Sequence, residues 1–121
     1  MDSVIYKILR ASEWCAAKDD PAYAGSPDDM RDGFIHFSTH AQCPETVKRY
    51  FTDESEIYIL AFDPLIYSAK ALKWEASRGG DLFPHLFQPL DISKAEKSWH
   101  IKRSENGMFN LGVLKEAHDG N

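Results

Sequence analysis

Long apolar runs are missing from this sequence: no stretch approaches the roughly 18 residues of a membrane helix. The start, MDSVIYKILR, has an acidic second residue and too short an apolar stretch for a signal-peptide core, so cytoplasmic residence is expected, with no membrane partner. Cysteine is scarce. Cys15 and Cys43 lie far apart and outside any CxxC spacing, which argues against a zinc or redox pair and leaves two small apolar core residues as the expectation. A basic surplus is also absent: the net charge is −5, whereas phosphate-driven nucleic-acid binding needs cations to displace counterions, so neither DNA nor RNA is an expected partner. The one basic cluster, Lys94, Lys97, Lys102 and Arg103, is interrupted by Glu96 and reads as a solvated face. No Walker or dinucleotide glycine motif, no GxSxG and no Cys-His nucleophile pattern occurs, which leaves P-loop enzymes and hydrolases without support.

What is present is enough for one core. The 121 residues are 43% hydrophobic, with three Trp, five Tyr and seven Phe, which excludes intrinsic disorder and requires neither a disulfide, a metal nor a cofactor for folding. No repeat or composition break divides the chain, so residues 1–121 form a single domain with an ordered core over about 3–114 and a frayed tail at 115–121.

Val4 to Leu9 reads as a buried strand in which Lys7 must find a rim or a partner. Ser12 can cap a short helix through Lys18, and PAYAGSPDDMRDG has the composition of a long, lid-like loop. Thr39 with Gln42 fits a capping box opening a helix whose buried face carries Cys43, Val47, Tyr50 and Phe51. Ile57 to Phe62 is apolar on both faces, as in a central strand. Leu72 to Glu75, His85 to Leu90 and Ser98 to Arg103 are further strands, and Asn106-Gly107 is a hairpin signal before Met108-Phe109. The fold class expected is α+β, a mostly antiparallel sheet or split sandwich of five or six strands with two helices.

Candidate chemistry falls in two segments. Alternation in FIHFST puts Phe34, His36 and Ser38 on one side and Ile35, Phe37 and Thr39 on the other. His36 could exchange protons or hold a ligand hydroxyl; equally, it could be a buried histidine satisfied by backbone groups, with Ser38 and Thr39 only capping the next helix. In WEASRGGDLFPH, Glu75 could serve as a general base or grip ribose hydroxyls, and Arg78 could meet a phosphate; a Glu75–Arg78 salt bridge is the simpler alternative. His85 is either a third proton-transfer group or a plain core histidine. His36 and His40 straddle a strand-to-helix boundary, which spoils a metal-binding i, i+4 pair, so no metal site is expected.

In order along the chain, IYKIL, DGFIHFST, LKWE and LFPHLFQPL resemble the small bacterial proteins grouped as domain of unknown function 952, over about Ile5 to Ile92. The resemblance implies a fold like the ADP-ribosyltransferase core, a split β-sandwich whose ligand lies between two sheets, with NAD or ADP-ribose as the ligand class. By that analogy the strand bearing Lys7 holds the first motif, and Ser38 and Thr39 belong to a second, hydroxyl-bearing motif against a ribose. LFPHLFQPL holds the third, where active transferases place a glutamate; here His85 stands locally and Glu75 ten residues upstream. The expected site therefore has His36, Glu75 and His85 as catalytic groups and Lys7, Ser38, Thr39, Trp74 and Arg78 as ligand contacts. It would act on a nucleotide, ADP-ribose or phosphorylated ribose, in a monomer or weak homodimer. The competing expectation is a non-catalytic protein-interaction or self-assembly module, suited by the Asp-rich loop and the aromatic content.

Overall fold

The computed structural model describes residues 3–115, the side chain of Arg78 excepted; positions 116–121 of the expected frayed tail lie outside the described residues. Among the described residues, six strands form two three-stranded antiparallel sheets. The first takes β1 (Ile5–Arg10), β3 (Glu56–Phe62) and β6 (Lys97–Lys102) in the order β1-β3-β6; the second takes β2 (Ile35–His36), β5 (Leu82–Leu86) and β4 (Leu72–Ala76) in the order β2-β5-β4. Three α-helices accompany them: α1 (Ala11–Ala17), α2 (Pro27–Asp32) and α3 (Cys43–Tyr50).

The first sheet is covered on both faces, as the double-sided apolar run of β3 requires. Ile5 and Leu9 of β1 with Leu60 and Phe62 of β3 pack on Ile35, Leu72 and Leu86 of the second sheet and on Phe37 just past β2. The opposite face, with Tyr6, Ile8, Ile57, Ile59 and Ile101, packs on Cys43, Val47 and Phe51 around α3. Truncating such a fully buried side chain, Leu60→Ala for example, costs about 2–5 kcal/mol. Where the sheets meet, Tyr6 and Ser38 exchange two backbone hydrogen bonds of 2.8 Å, which brings the end of β2 against β1. A cleft lined by both segments opens at this junction.

Several local expectations are corrected. The second half of PAYAGSPDDMRDG is helix rather than lid-like loop: Ser26 caps α2, Pro27 opens it where no amide partner is needed, and Gly33 closes it at φ 85°. The loop-forming residues here are helix punctuation, and α2 is a third helix where two were expected. The strand expected over His85 to Leu90 is β5, with Pro84 inside it; β2 pairs only with His85 and Leu86, and the Pro84 carbonyl still accepts from Phe37 N–H at 3.0 Å. Asn106-Gly107 makes a turn closed by Ser104 N–H on the Met108 carbonyl, but no strand follows it among the described residues. Cys43 is buried, and burial pushes its thiol up to about 12, whereas Cys15 is exposed on α1 rather than in the core. Tyr50 is likewise on the exposed side of α3. Arg103 is not a solvated charge: it donates to the carbonyls of Phe51, Thr52, Glu54 and Gly107 and stacks over Phe109.

Candidate functional site

The site is organised by Asp29, which sequence reasoning missed. In the capping box of α2, Ser26 Oγ accepts from Asp29 N–H at 3.2 Å and Asp29 Oδ2 accepts from Ser26 N–H at 2.9 Å. That reciprocal pair aims the carboxylate inward, where it is 2% exposed. Lys7, in turn, rises from the inter-sheet face of β1 and donates to Oδ2 at 2.8 Å and to the His36 carbonyl at 3.0 Å. Asp29 Oδ1 accepts from His36 N–H at 3.1 Å and from its Nδ1 at 2.6 Å. Burial alone would raise the Asp29 carboxyl; the His36 hydrogen bond, the Lys7 charge and the Ser26 amide outweigh it and hold the group well below the usual carboxylate range. The S-x-x-D pattern of Ser26 to Asp29 was the available sequence signal.

His36 is bridged rather than free. Its Nε2 faces Asp32 Oδ2 at 3.0 Å, so each ring nitrogen meets a carboxylate of the same helix. Ionised carboxylates only accept, so both bonds form together only when both nitrogens carry protons. A histidine held this way is fixed in orientation, with both ring nitrogens engaged.

His85 is arranged differently. It is the cross-strand partner of His36, 4% exposed, with the two rings edge to face at 5.6 Å between centroids. Phe34 stacks on it at 4.0 Å. Its Nδ1 meets Glu75 Oε1 at 2.8 Å; Glu75 reaches across from β4, and its side chain is 43% exposed. A carboxylate that fixes Nδ1 sets the tautomer and leaves Nε2 as the nitrogen for proton exchange. Glu75 thus has His85 as a partner; the Arg78 side chain of the expected Glu75–Arg78 bridge lies outside the described residues.

These groups border a cleft of about 180 Å³. Of the expected residues, Lys7, His36, Ser38 and His85 line it, and Glu75 acts on it through His85. Ser38 is buried, its hydroxyl 3.0 Å from that of Thr46 on α3. Two expected contacts fall elsewhere. Thr39 is spent on the capping box with Gln42, where each residue accepts the other's amide N–H. Trp74 alternates with Glu75 on β4 and packs against the inter-sheet core. Arg78 lies in a turn before β5 with its side chain outside the described residues. Asp28, Asp32, Arg10, Glu13 and Thr46 also line the cleft and were not anticipated. His40 stands beside the Tyr6 ring, and no group of three or more potential metal ligands converges among the described residues.

A family model described as protein of unknown function (DUF952) matches residues 8–98. The crystal structure of protein CC0527 from Caulobacter crescentus is 40% identical, with a TM-score of 0.83 over 92% of this chain and 96% of that one. The solution structure of the same protein superposes with a TM-score of 0.77, covering 93% of this chain and 96% of that one. None of the curated proteins matches significantly.

Proposed function

The chain belongs to the DUF952 family, and from that premise we propose that its cleft binds a ribose-bearing small molecule of the nucleotide, ADP-ribose or phosphorylated-ribose class and moves a proton on it. The observation that carries this reading is the Glu75–His85 pair: a nearly buried imidazole in the cleft wall with Nδ1 fixed by a carboxylate at 2.8 Å. Such a pair is built to take a proton from a hydroxyl or a water through Nε2, a contribution of roughly 10²–10⁴-fold in rate. Ser38 offers a hydroxyl for sugar contacts, and the Lys7–Asp29–His36 array forms an opposing charged wall. The position of the cleft at the junction of two sheets supports the ADP-ribosyltransferase-like comparison, with His85 and Glu75 in place of the third-motif glutamate.

The test is a thermal-shift screen with NAD, ADP-ribose, ribose phosphates and nucleosides, followed by product analysis with wild type and His85→Asn. Asn keeps a donor for Glu75 but cannot exchange a proton. Ligand-dependent stabilisation in both proteins, with turnover only in wild type, is the expected result. A flat response at about millimolar ligand would remove the reading.

Exposed Leu65, Ile66, Leu82 and Phe87 favour the second reading, a protein-interaction or self-assembly module. Sedimentation at several concentrations checks self-assembly, which a concentration-independent monomer would rule out.

A further inference from the structure

We infer that the part of a ligand inserted in this cleft is an uncharged or cationic sugar or nucleoside moiety, and that phosphate is held out of it. The inference rests on the ribose-ligand reading above and narrows it by charge. Three described cations line the cleft: Lys7, Arg10 and Arg31. All three are already engaged. Lys7 is bonded to Asp29 at 2.8 Å and to the His36 carbonyl. Arg10 bonds Glu13 at 3.0 Å, approaches Glu54 at 3.5 Å, donates to the Tyr50 carbonyl and covers the Phe51 ring. Arg31 bonds Asp28 and Asp32, each at 2.9 Å.

Against them stand four lining carboxylates, Glu13, Asp28, Asp29 and Asp32, with Glu75 behind His85. His36 spends both nitrogens on two of those carboxylates. A phosphate entering here would lose water and meet, among the described residues lining the wall, only cations that already face a carboxylate; the N–H groups left over on Lys7, Arg10 and Arg31 belong to charges already neutralised. To gain a full counter-charge it must displace a carboxylate, which then faces the phosphate's own charge, a like-charge contact strengthened by the low local dielectric. Sugar hydroxyls face no such cost. They donate to the partly exposed carboxylate of Asp28 and to Asp32 Oδ1, each of which keeps lone-pair capacity beyond its Arg31 bond, and exchange hydrogen bonds with the Ser38 hydroxyl. A fixed positive charge on the base would be attracted by the same wall.

Calorimetric titration of the full chain with adenosine, adenosine 5′-monophosphate and 1-methyladenosine, at about 20 mM and about 300 mM salt, tests this. Adenosine is expected to bind about threefold or more tighter than its monophosphate, with the gap widening at low salt, and the cationic nucleoside to bind at least as well as adenosine. Asp32→Asn, a partly exposed position at which a folded protein is expected, should narrow the gap. Tighter binding of the monophosphate, weakened by salt, overturns this proposal while leaving the ribose-ligand reading intact; so does stabilisation by ADP-ribose with no response to adenosine. A flat response to every ligand, ADP-ribose included, overturns both.

Discussion

Asp29 and His36 are joined twice through one oxygen: Asp29 Oδ1 accepts from the His36 backbone N–H at 3.1 Å and from its Nδ1 at 2.6 Å. The other oxygen holds Lys7, so a single buried carboxylate ties α2 to both β1 and β2. Asp29→Asn leaves the Lys7 ammonium buried without a counter-charge. We expect a loss of about 3–5 kcal/mol in urea unfolding, partly recovered when Lys7→Met is added. An independent, additive effect of the two substitutions would contradict the coupling.

The acid limb of stability should carry the signature of the same residue. Its folded carboxyl is held below the ordinary range, so the stabilisation is complete above the unfolded value of about 3.9 and is lost as pH falls from there through the lower folded value. The difference in unfolding free energy between wild type and Asp29→Asn should therefore be flat above about pH 5 and shrink below about pH 4. Urea midpoints across that range measure it; a difference that instead grows on acidification contradicts the assignment.

Gly25 stands against the hub with φ 111°, and a Cβ placed there would lie 2.5 Å from Asp29 Cβ and 2.9 Å from both Asp29 Oδ2 and Ile35 Cδ1. Gly25→Ala thus combines a disfavoured backbone with a steric conflict at the carboxylate. A loss of about 2–5 kcal/mol is expected by chemical denaturation. Retention of full stability would show that α2 can shift without cost.

Glu75 is half-exposed, so its removal should change stability by no more than about 1 kcal/mol. Its effect should appear in the tautomer of His85 instead. In long-range proton–nitrogen NMR spectra, wild type should carry the His85 proton on Nδ1, and Glu75→Ala should shift population toward the Nε2-protonated form. Identical spectra would mean that Glu75 does not set the ring.

Much of the scaffold was legible because it rests on local pattern. The double-sided apolar run of β3, the strand at β1 and the Thr39–Gln42 capping box each follow from residues near in sequence. Helix α2 was hidden because Ser26, Pro27 and Gly33 have loop composition whether they form a loop or punctuate a helix. With α2 went Asp29 and Asp32, the two carboxylates that fix His36. His36 and His85 could be nominated one at a time, yet their proximity depends on the pairing of β2 with β5, which no local spacing encodes. Trp74 was misassigned to the pocket although alternation with Glu75 already placed the two on opposite faces, and the inter-sheet core claimed the larger apolar ring.

The central claim is that one cleft, walled by His36 and His85, is where a ribose-bearing ligand sits. Backbone and imidazole NMR shifts recorded while adenosine or ADP-ribose is titrated in test it most directly. The account predicts saturable shifts concentrated at Lys7, His36, Ser38, Phe83 and His85. Shifts confined to β6, the edge strand of the first sheet away from β1, or none at about millimolar ligand, would contradict it.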